Sequence, residues 1–144
     1  MPLNVLIVDD EPVARKILRE ELELLDDVEI AGEAADGCEA LERIAALSPD
    51  VVFLDLQMPE LGGLEVARRM PRGGRLPVIV VVTAFDQFAI QALDAGAVDY
   101  LLKPVSQERL SEAVARARRL VGHPADVADQ LARVQETVLE PTAP

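Results

Sequence analysis

The 144-residue sequence is short of several things at once, and each shortage removes a class of function. It has a single cysteine, Cys38, so no internal disulfide can form, and this fits a reducing compartment. Its single histidine, His123, lies beside a Gly122–Pro124 break, so no Cys-His or Ser-His nucleophilic pair can be assembled. Tryptophan is absent and aromatics make up 3%, which leaves an aliphatic core of Val, Ile, Leu and Ala. Basic residues are few, 14 against 26 acids, and the net charge of −12 argues against nucleic-acid binding by this chain. No apolar run approaches the ~18 residues of a membrane span. The N-terminal MPLNVLIVDD has no basic region ahead of its short apolar run, unlike a signal peptide. A soluble, cytoplasmic protein without membrane contact is the expectation.

What is present is order. Half the residues are hydrophobic, enough for the core of one domain. Short β-branched runs at Leu3–Val8, Val28–Glu33, Val51–Leu54, Val78–Val82 and Val98–Leu102 predict strands. The third and fourth are nearly continuous apolar runs, the mark of strands covered on both faces. Helical spacing lies between them: Val13, Ile17, Leu18, Leu22 and Leu25; Leu41, Ile44, Ala45 and Leu47; Leu64, Ala67 and Met70; Ile90 and Leu93; Leu110, Val114 and Ala117. Pro12 suits a first helical turn and Ser106 an N-cap. Five β-α repeats predict an α/β fold with a doubly wound parallel sheet. After Leu120 the break Gly122-His123-Pro124 precedes a further apolar stripe, Val127, Leu131, Val134 and Val138. The expected division is a domain over 1–121 and a linker helix with a frayed tail over 122–144.

The polar residues fall at the predicted strand ends. The first strand ends in Asp9-Asp10, the third in Asp55, the fourth in Thr83 and the fifth in Lys103-Pro104. Ligands of open parallel sheets bind outside the carboxyl ends of the strands. Three carboxylates, a hydroxyl and an ammonium therefore converge on one edge. Carboxylates that close repel, and at least one would carry a raised pKa unless a hard cation such as Mg2+ joined them. Asp55 taken alone would be a cap, a metal ligand or a nucleophile. As a nucleophile it needs no general base, being ionised at neutral pH.

VLIVDDEP, VVFLDLQMPELGGLE, VVVTA and DYLLKPV, in this order over residues 3 to about 120, resemble the motifs of the response-regulator receiver domains of two-component signalling. The resemblance implies a flavodoxin-like (βα)5 fold with strand order 2-1-3-4-5. It implies that Asp55 accepts a phosphoryl group from a sensor histidine kinase, with Mg2+ held directly by Asp10, by Asp55 and by the main-chain carbonyl of Gln57, and by Asp9 through water. Thr83 and Lys103 would contact the phosphoryl group, Tyr100 would be the aromatic switch, and the bond before Pro104 would be cis. The resemblance also implies a phosphorylation-dependent homodimer. Its readout face would be the predicted fourth helix, fifth strand and fifth helix, roughly residues 86–120. The domain would catalyse only its own phosphorylation and dephosphorylation and would not be an enzyme in the usual sense. TAFDQFAIQALDAGAVDYLLKPV is similar to receivers that precede LytTR-type DNA-binding domains. A receiver without its output domain is expected, with a stand-alone receiver acting through protein contacts as the alternative. Cys38 is expected to be half-buried on a helix, without a role.

Two other functions on this fold fit less well. A flavodoxin-like cofactor binder needs a Gly/Ser/Thr loop after the first strand to cradle phosphate. Here that loop is Asp9-Asp10-Glu11-Pro12, which repels it. An aspartyl-phosphate hydrolase would use an acid two residues after the nucleophile, and that residue is Gln57.

Overall fold

The computed structural model describes residues 2–70, 75–84 and 99–136. Along the chain run β1 (Leu3–Val8), α1 (Pro12–Glu23), β2 (Val28–Ala34), α2 (Gly37–Leu47), β3 (Val51–Asp55), α3 (Gly63–Arg69), β4 (Val78–Thr83), β5 (Asp99–Leu102), α4 (Gln107–Val121) and α5 (Pro124–Glu136). The strands form one parallel sheet in the order β2-β1-β3-β4-β5, the expected topology. The predicted helix around Ile90 and Leu93, together with Phe85, Phe88, Val98 and Val138, lies outside the described residues.

Alternation along the central strands divides the core into two layers. Leu6, Val8, Val52, Leu54, Ile79 and Val81 face α2 and α3. Val5, Ile7, Val51, Phe53, Val78 and Val80 face α1 and α4. Every residue of β3 and β4 is buried, which is why their sequences are continuous apolar runs. Polar caps start the flanking helices. Asp36 accepts the Glu39 N–H at 2.8 Å, and Ser106 accepts the Arg109 N–H at 3.2 Å.

The apolar pattern of α1 divides in a way its spacing alone conceals. Leu18 and Leu22 are buried, whereas Val13 and Ile17 are 70% and 48% exposed. Five residues separate Val13 from Leu18 and Ile17 from Leu22, which turns each pair about 140° apart around the axis. One helix cannot seat both sides on one sheet. Leu47 also turns outward, and Cys38 is exposed rather than half-buried, because Gly37, Ala40 and Ile44 form the buried face of α2.

α5 packs against this body. Val127 joins the α1/α4 layer, while Leu131 and Val134 join the α2/α3 layer. The helix therefore bridges both layers.

Phe53 is fully buried, so Phe53→Ala is expected to cost about 3–5 kcal/mol. Asp36→Ala removes only a cap and is expected to cost about 1 kcal/mol. Urea denaturation measures both, and equal costs would contradict the division between core and cap.

Candidate functional site

Four strand ends bring the predicted site residues together. β1 and β3 are neighbours, with Val8 opposite Leu54, so Asp9 and Asp55 leave the sheet side by side. One carboxylate oxygen from each of Asp9, Asp10, Glu11 and Asp55 lies within 4.8 Å of the others. Asp9 and Asp55 are buried, Asp10 is half-buried and Glu11 is exposed. β4 lies beyond β3, with Asp55 opposite Val82, and ends at the buried Thr83. β5 delivers Lys103, whose backbone N–H donates to the Thr83 carbonyl at 2.9 Å. The Lys103–Pro104 peptide bond is cis.

Lys103 carries the electrostatics. Its Nζ lies 2.8 Å from Asp9 Oδ2, 3.2 Å from Glu11 Oε1 and 3.3 Å from Asp55 Oδ2. Burial works against its charge, but the hydrogen bond to Asp9 and the charges of Asp55 and Asp9 outweigh it and raise its pKa. Backbone donors hold the carboxylates from the other side. Gln57 N–H donates to Asp55 Oδ1 at 3.0 Å, and Glu11 N–H to Asp9 Oδ1 at 3.0 Å. The loop after β3 is tight: a Cβ on Gly63 would lie 2.4 Å from the Asp55 carbonyl oxygen, a distance only glycine avoids. Four hard oxygen donors within a few ångströms suit a cation such as Mg2+.

Glu11 and Arg15 also belong to the site, beyond the residues expected from the sequence. Glu11 is a third acid on Lys103, and its signal was the unbroken Asp9-Asp10-Glu11 run. Arg15 Nη1 donates to the Asp9 carbonyl at 2.7 Å and so fixes the loop after β1. Tyr100 is half-buried against the α2/α3 layer, with the Arg109 guanidinium 5.9 Å from its ring centre.

The Asp55 pKa is raised from 3.8 to about 6. Burial is the main cause and the Asp9 charge adds to it, while the Gln57 N–H and Lys103 pull the other way. An acid with a raised folded pKa holds its proton more tightly folded than unfolded. Its contribution to stability is full below about pH 4 and is lost as pH rises through about 6. Asp55→Asn removes the ionisation. The metal-free variant is expected to gain on the wild type as pH rises from 4 to 7. The gain should reach about 1–2 kcal/mol after allowance for solvent screening. Urea denaturation at several pH values measures it, and a difference independent of pH would contradict the burial of this carboxylate.

The family model of the response regulator receiver domain matches residues 5–115. The chain is 49% identical over 117 residues to the transcriptional regulatory protein BtsR of Salmonella typhi, covering 81% of this chain and 48% of that protein. It is 46% identical over 123 residues to an uncharacterized response regulatory protein of Vibrio vulnificus, covering 85% of this chain and 50% of that one. The chain thus spans about half the length of these relatives. The solved receiver (REC) domain of AraT from Geobacillus stearothermophilus superposes with a TM-score of 0.70 at 36% identity, covering 85% of this chain and 97% of that one. The response regulatory domain of mrkE from Klebsiella pneumoniae gives 0.73 at 29% identity, covering 83% and 98%. With strand order, motif positions and these likenesses in agreement, the chain belongs to the response regulator receiver domain family.

Proposed function

We propose that Asp55 is the phosphoacceptor of a two-component response regulator and that a sensor histidine kinase supplies the phosphoryl group. One observation carries this reading: a buried carboxylate at the end of the central strand shares an ammonium with a second buried carboxylate. An Asp55 oxygen forms a bond to phosphorus as the bond to the donor's leaving atom breaks, and the electron pair leaves with the donor. Lys103 neutralises the transferred oxygens, and the backbone N–H of Gln57 orients the carboxylate. Asp9, Asp10 and Asp55, with the main-chain carbonyl of Gln57, would hold Mg2+, and Glu11 stands close enough to join them. When bound, the cation supplies charge neutralisation at the phosphoryl oxygens. Thr83, buried at the end of β4, would then be drawn to the new phosphoryl oxygens and Tyr100 would repack.

The kinase's route to Asp55 runs over α1. A cleft of about 400 Å³ beside the acids is lined by Val13, Ile17, Val82, Lys103, Pro104 and Val105. Its exposed apolar rim at Val13 and Ile17 suits a partner helix. A phosphorylation-dependent homodimer would form on the face spanning residues 86–120, of which 86–98 lie outside the described residues. The likeness to transcriptional regulatory proteins about twice as long supports a regulatory role in transcription within a longer protein, with a LytTR-type DNA-binding domain as the expected output. A cytoplasmic location follows from a kinase and a promoter as partners.

Incubation with Mg2+ and acetyl phosphate is expected to add one acid-labile phosphoryl group by intact mass, and Asp55→Asn to abolish it. Phosphorylation of the Asn variant at the wild-type level would sink the assignment. Ile17→Glu is expected to slow transfer from the kinase at least tenfold and to leave labelling by acetyl phosphate unchanged. Equal loss with both donors would remove the docking role of α1.

A further inference from the structure

Among the described residues, two of the buried polar side chains lie on α5, far along the chain from the acids. Gln130 and Gln135 are 6% and 8% exposed. The Gln130 amide pairs with both backbone groups of Ile79. Its Oε1 accepts the Ile79 N–H at 3.4 Å, and its Nε2 donates to the Ile79 carbonyl at 3.1 Å. Ile79 is the neighbour of Val80, which pairs with Asp99 of β5. Gln135 Nε2 donates to the carbonyls of Ala67 and Met70 at 3.0 and 3.3 Å, the last turn of α3. Arg68 of α3 returns a hydrogen bond to the Gln135 carbonyl at 3.3 Å. Val127, Leu131 and Val134 supply the apolar contact.

A helix that only covered apolar surface would bury leucine at these positions. A buried amide is costly unless fully paired, and once paired it admits one seating rather than many. Both anchor points lead to Asp55. β4 (Val78–Thr83) is hydrogen-bonded to β3 and sets Val82 opposite Asp55. α3 begins at Gly63, against the Asp55 carbonyl. α5 therefore ties together β4, the strand beside Asp55, and α3, the helix that follows it. The dock is imperfect at its start, where a cavity of about 460 Å³ lies between Pro124 and Val127 of the helix and Asp50 and Leu76 of the body.

We propose that α5 is a state-sensitive brace: Gln130 and Gln135 lock β4 to α3 in the phosphate-free protein, and phosphorylation of Asp55 releases the helix. The inference rests on the phosphoacceptor reading above. Its physical content is linkage. A contact made only when β4 and α3 hold their present spacing opposes any change that alters the spacing. Removal of that contact must then favour the phosphorylated state by the same factor.

Hydrogen exchange on the full chain tests this without any substitution, with Mg2+ alone and with Mg2+ plus beryllofluoride. Beryllofluoride is expected to slow exchange in the loop over residues 56–63 and to speed it at least tenfold in 124–136. The double variant Gln130→Leu/Gln135→Leu is expected to reach half-saturation at about tenfold lower beryllofluoride. A protected 56–63 loop with exchange in 124–136 unchanged or slower overturns the brace and leaves the phosphoacceptor standing. Unchanged half-saturation in the folded double variant overturns the brace as well. No response anywhere in the wild type overturns both readings.

Discussion

The ammonium of Lys103, held within about 3 Å of the carboxylates of Asp9, Glu11 and Asp55, is the contact on which the carboxyl edge of the sheet depends. Two unit charges within 4.8 Å repel by about 3–4 kcal/mol at an effective dielectric near 20. Two of these carboxylates are buried, which adds a desolvation cost. A parallel sheet that ends adjacent strands in acids would otherwise splay or protonate there. Even with Lys103 present, burial leaves Asp55 with a pKa near 6. The site is built with strain in its charges, and a cation or a phosphoryl group with its counterion can relieve it.

The rest of the fold keeps those charges in place. β3 and β4 are buried throughout, so the strand ends that carry Asp55 and Thr83 have little freedom. Lys103 is tied to the end of β4 through the Thr83 carbonyl and to the acids through its side chain. Gly63 lets α3 start directly against Asp55. The two glutamines of α5 hold β4 and α3 at their far ends.

The central part of this arrangement was legible in the sequence because it obeys simple periods. Continuous apolar runs named β3 and β4, and the residues closing each run named Asp9, Asp55, Thr83 and Lys103. The two-sided nature of α1 was not legible, because Val13, Ile17, Leu18 and Leu22 satisfy helical spacing whichever side faces the sheet. Only the position of the sheet selects Leu18 and Leu22. In the sequence Glu11 is a repulsive loop residue, and its contact with Lys103 depends on a partner 92 residues away. Gln130 and Gln135 carried no signal at all. A glutamine on a helix is ordinarily solvated, and only the backbone groups of Ile79 and of the end of α3 give these two a reason to be buried.

The electrostatic reading of the site implies that Lys103 offsets the same acids that would hold a cation, so that the two would compete. Isothermal titration of Mg2+ into the wild type and Lys103→Met at neutral pH tests it directly. Removal of the ammonium is expected to tighten Mg2+ binding about tenfold, while the metal-free variant loses stability. Mg2+ affinity that is unchanged or weaker in Lys103→Met would contradict the account.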